Sequence, residues 1–324
     1  MIVHGAPGLP SALPVDRPVT AETLFGDYLE LQQPATRGQI SAIATTIACP
    51  PERKEAERLA QEDVYAAEIL ARRVTLLDLL ERFASADMAL GTFIAALPPM
   101  RARQYSIASS PLVDPNRCAL TVSVLQAPAL GGDRLHQGVA STFLARLKEG
   151  DTLGVAVRQS QAGFHLPANP LTPVIMVCAG SGIAPFRGFL QERAVRKAAG
   201  ELLGPALLFF GVRDPDGDFL YREELEGWQD TDVVSLRMAF SATGQDGIVH
   251  VQDAIWRDRE EIAGLFRAGA RILLCGDGEH MAPAVREVFI RIYEAETDAS
   301  HVEALAWAER IEREGVRYVA DIYA

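Results

Sequence analysis

The stretch VIMVCAGSGIAPFRGFLQER sets an apolar run, a glycine-rich turn at Gly180, Ser181 and Gly182, and a helix opened by Pro185 in immediate succession. Glycines let a backbone approach a pyrophosphate closely, and a helix N-terminus offers it free N–H groups and a partial positive charge. The spacing Gly180-x-Gly182-x-x-Pro185 falls short of the full dinucleotide fingerprint, so a tight strand-to-helix turn without a ligand stands beside the nucleotide reading. A second candidate is Arg103-Gln104-Tyr105-Ser106. In a strand, Arg103 and Tyr105 share one face, where a cation could hold a phosphate while a ring lies against a planar group. On spacing alone, ordinary strand residues remain the favoured reading there. Third, Gly138-Val139-Ala140-Ser141 runs into a short helix through Phe143 and Leu144, another place for an anion by the same N-terminal logic and weak by itself. The four cysteines, Cys49, Cys118, Cys178 and Cys275, form no C-x-x-C pair, so neither a zinc ribbon nor a redox dithiol motif is present and no metal site is expected.

Three regimes of sequence must position these groups. Residues 1–18, rich in Pro and Gly, read as a linker or a truncated edge. From Thr20, a helix cap, to about Leu97 the pattern is helical: Leu24, Tyr28 and Leu31 recur at helical spacing, Pro50 and Pro51 break the chain, and Val64, Ile69, Leu76, Leu77, Leu79, Leu80 and Phe83 follow. After Pro98 and Pro99 the period changes, and Tyr105–Ile107, Leu120–Val124 and Leu153–Val157 read as strands of a small antiparallel unit. From Pro173 onward, apolar runs at Val174–Val177, Ala206–Phe210, Val233–Met238 and Ile272–Cys275 alternate with helical segments at about 185–198, 221–228, 251–266 and 281–294. That alternation predicts a parallel sheet wound with helices on both faces.

The balance of 31 Lys and Arg against 43 Asp and Glu gives a net charge of −12, which repels polyanions and anionic bilayers and argues against nucleic-acid binding. Isolated cysteines fit a reducing cytoplasm, and an N-terminus interrupted by Pro7, Pro10 and Pro14 supports neither a secretion signal nor a membrane span.

RQYSIASS, GVASTFL, CAGSGIAPFRGF, FFGVRDPDGDFLYREEL, AFS, LLCGDGEHMA and the terminal RYVADIYA stand in the order and spacing of the FAD and nicotinamide module of diflavin reductases. The chain resembles that family, the cytochrome P-450 reductases, along its whole length. With LELQQPATRGQI and CPPERKEAERL it looks most like the reductase part of self-sufficient fatty-acid monooxygenase fusions. The resemblance implies an α/β plus all-β chain: a helical connecting region at 19–98, a partial antiparallel FAD-binding barrel at 99–168, and a doubly wound, ferredoxin-reductase-like nicotinamide domain at 169–324. It implies hydride transfer from NAD(P)H to FAD, with electrons passed on to an FMN domain and a haem monooxygenase outside this chain, no nucleic acid and no membrane. Sulfite reductases and nitric oxide synthases share these motifs, and a non-catalytic nucleotide-binding remnant without FAD is the rival of another class.

By the same resemblance, Arg103 holds the FAD pyrophosphate, Tyr105 stacks on the isoalloxazine and Ser106 bonds near its N5. Thr121, Val122 and Ser123 border the flavin, and Gly138, Val139, Ala140 and Ser141 present N–H groups to its pyrophosphate. Gly180, Ser181, Gly182 and Arg213 take the phosphates of the nicotinamide nucleotide, and Ser241, His250 and Gln252 lie around its ribose. Ser106, Cys275 and Asp321 act on the hydride step, and Tyr323 covers the flavin's other face. Without the family, Cys275 reads as a small buried hydrophobe and Asp321 and Tyr323 as a frayed tail.

Three departures stand out. The family's opening barrel strands and FMN domain would precede residue 1, so the barrel is expected to be open. Tyr323 replaces the usual Trp. The Arg, Lys and Tyr that usually surround the 2′-phosphate of NADPH are here Ala242, Ile248 and His250, with Asp246 adding negative charge. NADH is therefore expected to serve at least as well as NADPH, unless Arg213 or Arg222 supplies the missing cation.

Overall fold

The computed structural model describes residues 1–5, 13–130, 135–160 and 163–323. Residues 6–12 of the expected linker, 131–134 and 161–162 of the expected barrel, and Ala324 of the terminal motif lie outside the described residues. The chain divides into two compact units, one formed by 1–104 and 124–149 and the other by 105–123 and 150–324.

The first unit is mainly helical. The ends of the expected linker are paired, with Ile2 bridging to Pro18 and Val3 to Val15. Thr20 caps α1 (Ala21–Thr23), its hydroxyl accepting from the Thr23 N–H, and a π-helical turn, Leu24–Tyr28, continues it. Leu31 lies beyond that turn, so the expected helical repeat stops one turn early. Helices α2 (Arg37–Thr46) and α5 (Leu76–Arg82) begin with reciprocal capping boxes, Thr36 with Gln39 and Thr75 with Asp78. Each satisfies two otherwise orphaned N–H groups, worth about 1 kcal/mol per cap. Pro50 and Pro51 do more than break the chain: they open α3 (Pro50–Leu59), where a missing N–H costs nothing. With α4 (Glu62–Tyr65) and α6 (Leu90–Ala96) these helices enclose a core of Leu24, Leu29, Ile40, Ile43, Ile47, Leu59, Ile69 and Leu79. A short antiparallel pair, β1 (Gln126–Pro128) and β2 (Leu135–Gln137), leads into α7 (Val139–Arg146).

The second unit is the expected wound sheet. Its strands β3 (Val174–Ala179), β4 (Ala206–Val212), β5 (Ser235–Phe240), β6 (Arg271–Asp277) and β7 (Tyr318–Tyr323) are all parallel, in the order β5-β4-β3-β6-β7. Strands β3 and β4 are covered on both faces, which is why they read as continuous apolar runs with no alternation. On one face Ile175, Val177, Leu207, Phe209, Ile272 and Leu274 meet α10 (Val251–Arg257), α12 (Met281–Thr297) and α13 (His301–Glu314). On the other, Met176, Cys178, Leu208, Phe210, Leu273 and Cys275 meet Phe186 and Leu190 of α8 (Ile183–Ala198) and Leu225 of α9 (Arg222–Asp230).

Several expectations need correction. The helix expected over 251–266 is two, α10 and α11 (Arg259–Arg267), parted at Asp258, whose carboxylate binds Arg237 and Arg257. The terminal residues form β7, a fifth strand paired along β6. Of the three expected antiparallel strands, Tyr105–Ile107 and Leu120–Val124 share a single bridge, Ile107 to Leu120, and Leu153–Val157 forms none. Strand propensity alone does not make a ladder, because backbone groups need a neighbouring strand. Val155 and Val157 stay 75% and 76% exposed, with no partner strand among the described residues. Among those residues no helix is long and apolar enough to cross a membrane.

Candidate active site

Strand order reverses between β3 and β6, and in wound sheets ligands bind outside the carboxyl ends of the strands at such a point. The turn Gly180–Gly182 lies there. Gly180 has φ +52, a left-handed conformation that favours glycine, with open space where a Cβ would be. Gly182 is constrained differently: a Cβ would collide with the Cys275 backbone and lie 3.2 Å from Gly276 Cα. The sequence glycines thus bring the start of α8 against the end of β6.

One register row crosses this end of the sheet. Phe210 pairs with Cys178, Cys178 with Cys275, and Cys275 with Asp321. Ser106 donates to Asp321 Oδ2 at 2.9 Å, so the structure brings together the three residues expected to act on hydride transfer. Burial, reinforced by the Asp321 carboxylate, pushes the Cys275 thiol up to about 12, which keeps it neutral at physiological pH. Ser181 and Tyr323 hydroxyls lie 3.2 Å apart, joining the glycine turn to the end of β7.

The segment carrying Tyr105 and Ser106 is fixed to the sheet domain by groups that sequence reasoning missed. Arg187 forms a two-pronged ion pair with Glu224 at 2.8 Å, donates to the Ala108 carbonyl at 2.7 Å and lies over the Tyr221 ring. Thr121 shares a 2.7 Å hydrogen bond with Tyr221, while Val122 is half-buried and Ser123 exposed. Arg213 and Ser241 sit just past the carboxyl ends of adjacent strands, the Ser241 N–H donating to Val212 and the Ala242 N–H to Arg213. Arg222 is engaged by Glu226 and Asp216. Ile248 is not at a ribose rim: it is 8% exposed and packed in the core. The His250 N–H donates to Asp253, which holds the start of α10, and Gln252 lines a cavity of about 480 Å³ between α10 and α12.

In the first unit Arg103 donates to Glu30 at 2.8 Å and to the Arg101 carbonyl at 2.6 Å. Residues 101–106 form no strand, so the expected shared strand face of Arg103 and Tyr105 is not formed; without a ladder partner the guanidinium is placed by Glu30 instead. Glu30 is 4% exposed and was not foreseen, because a lone Glu in LELQQ carries no spacing signal. Gly138 precedes α7, with Val139 and Ala140 half-buried in its first turn. A Cβ on Gly138 would come within 2.6 Å of Ser141 Oγ, which itself accepts from the Leu125 N–H. The buried Thr142 hydroxyl in that turn has no partner among the described residues. Cys178 was also missed, although it ends its strand in C-A-G as Cys275 does in C-G-D-G.

A wound sheet with a glycine turn at its reversal point and a thiol, carboxylate and hydroxyl gathered beside it is the architecture of a nucleotide-binding oxidoreductase. Family models agree: a FAD binding domain matches residues 10–143 and an oxidoreductase NAD-binding domain matches residues 176–287. The chain thus joins a FAD binding domain to an oxidoreductase NAD-binding domain. It is 43% identical over 312 residues to the bifunctional cytochrome P450/NADPH–P450 reductase 2 of Bacillus subtilis (strain 168), covering 96% of this chain and 30% of the relative. Identity is 44% over 322 residues to the bifunctional enzyme of Fusarium oxysporum, covering 97% and 30%. It is 44% over 305 residues to a self-sufficient cytochrome P450 monooxygenase of Phanerodontia chrysosporium, covering 93% and 29%. The chain thus spans about 30% of the length of these relatives.

Proposed function

We propose that this chain is a reductase module that takes hydride from NAD(P)H onto FAD and delivers electrons to an FMN domain and a haem monooxygenase, working in the cytoplasm. The row of Cys275, Asp321 and Ser106 at the reversal point of the sheet carries the reading. The full-length relatives' names supply the acceptor, and four unpaired cysteines suit a reducing compartment. Functionally we divide the chain as a linker to 18, a helical region to 98, a flavin segment to 168 and a nucleotide domain to 324.

The residues present fit both cofactors. At α7 the absent Cβ of Gly138 and the unpartnered Thr142 hydroxyl suit a pyrophosphate, which Gly138, Val139, Ala140 and Ser141 would hold together with Arg103. Tyr105, Thr121, Val122, Ser123 and Tyr323 would bound the flavin ring. The Gly180–Gly182 turn and Arg213 would take the phosphates of the nicotinamide nucleotide, with Ser241, His250 and Gln252 toward its ribose. Bound FAD supplies the ability to accept two electrons as hydride and return them singly. Asp321 would stabilise the positive charge that grows on the nicotinamide as hydride leaves, and Ser106, donating to Asp321, would hold that carboxylate in place. Cys275, kept as a thiol by burial, would pack beside the ring without adding charge.

Flavin absorbance after purification, followed by NAD(P)H-driven ferricyanide reduction, tests the proposal. A chain that binds nucleotide but neither retains nor takes up FAD would be the non-catalytic remnant instead.

A further inference from the structure

Cys178 and Cys275 are register partners on adjacent parallel strands, at the place where the sheet reverses its order. Their side chains belong to the same buried cluster, on one face of the sheet, and are 0% and 2% exposed. The two sulfurs therefore leave neighbouring strands at the same height and on the same side. Nothing in the hydride chemistry calls for the Cys178 thiol.

Distance and electron balance decide what such a pair can hold. Neighbouring strands lie about 4.8 Å apart. A disulfide, whose Cα atoms usually lie about 4.4–6.8 Å apart, could span this gap, but making one removes two electrons and so needs an oxidant, and both thiols are free here. An ion bound to two thiolates in a line, with bonds of about 2.3 Å, spans roughly 4.6 Å and needs no oxidant. Among the described residues no three His, Cys, Asp or Glu side chains converge as a metal shell, which leaves a four-coordinate ion such as zinc without ligands. Softness and charge narrow the choice further. Thiolates select soft ions. A monovalent soft ion with two thiolates is an anion, disfavoured in this buried row beside Asp321, whereas a divalent one is neutral.

We propose that Cys178 and Cys275 form a two-thiolate site for a soft divalent ion of the mercuric type. The ion forms two metal–sulfur bonds, both S–H bonds break, and two protons leave to solvent; no electrons are exchanged. That the ion and the nicotinamide exclude one another is a consequence resting on the function proposed above, but the site itself does not depend on it.

The test uses the full chain with Cys49→Ser and Cys118→Ser, given one equivalent of mercuric chloride without oxygen and dialysed against excess monothiol. About one ion per chain is expected to remain, and X-ray absorption should show two sulfur neighbours. Cys178→Ala and Cys275→Ala should each lower retention by a hundredfold or so, since one-point attachment forfeits the effective concentration of the second thiolate. Cys178→Ser repeats the comparison if the alanine variant does not fold. A single sulfur neighbour in the parent overturns the proposal whatever the variants do. So does retention unaffected by Cys178→Ala, or loss of both thiols as a disulfide with no metal bound. If FAD fails to bind while two-sulfur retention stands, the functional reading falls and the site survives.

Discussion

Asp321 carries the sharpest expectation at the level of single residues. Asp321→Asn keeps the shape, and Ser106 can still donate to the side-chain oxygen, but the charge is lost. Stopped-flow flavin bleaching should slow by roughly ten- to a hundredfold while the nucleotide Kd hardly changes, the pattern of an interaction made in the transition state; an unchanged rate removes Asp321 from the chemistry. Arg103 is a less clean target than its motif suggests. Arg103→Ala would delete the proposed charge-assisted contact to a flavin pyrophosphate, worth about 1.5–3 kcal/mol, yet it also strands the nearly buried Glu30 carboxylate. The double variant Glu30→Gln/Arg103→Ala should recover thermal stability without recovering flavin occupancy, and recovery of both would make the pair purely structural. For nucleotide choice, none of the three substituted positions supplies a well-placed fixed cation: Ala242 has none, Ile248 is in the core, and His250 sits at the start of α10. We expect kcat/KM for NADH to equal or exceed that for NADPH at pH 7.5. Ala242→Arg should raise the NADPH value by about tenfold; Ile248→Lys should instead destabilise the fold, because its site is buried. A strong NADPH preference in the parent would point to Arg213, since Arg222 is already held by two acids.

Elements were legible in the sequence where their signal is local. The runs of β3 and β4 and the helix after Gly182 announce themselves because burial on both faces removes any polar alternation. Strand β7 does not: Tyr318–Tyr323 mixes Asp with apolar residues, and pairing with β6, set by distant contacts, makes it a strand. Leu153–Val157 shows the converse, with strand-forming residues and no ladder. In the site, the glycines, Ser106 and Cys275 could be found by motif. Cys178, Glu30, Arg187 and Tyr221 lie within the same motifs, but their roles were not legible there, since those come from register and from contacts far apart in sequence. The two glycines of the turn should differ sharply. Gly180→Ala meets open space and only the left-handed penalty, about 1 kcal/mol. Gly182→Ala drives a methyl into the Cys275 backbone, which no rotamer change relieves, and should cost about 3 kcal/mol or more and abolish nucleotide binding. Melting curves with and without NADP⁺ would check this, and similar losses for both variants would refute it.

At the scale of the whole molecule, two units of different construction share one chain, a helical one with its own core and a wound sheet with two. The wound sheet could be foreseen from alternation alone; residues 99–168 could not, because among the described residues their strand pairing amounts to two three-residue strands and two isolated bridges. The sheet also delivers its carboxylate in an unusual way. Asp321 comes on the outermost strand, which has β6 on one side only and ends in the exposed Ile322 and Tyr323, whereas the thiol beside it is anchored in the interior. Edge strands open at lower cost than the cores they border. Heat should therefore silence turnover by loosening β7 while the rest of the sheet stays intact, so that turnover fades several degrees below the calorimetric transition and returns on cooling. Hydrogen exchange at Ala320 and Asp321 would follow the same curve.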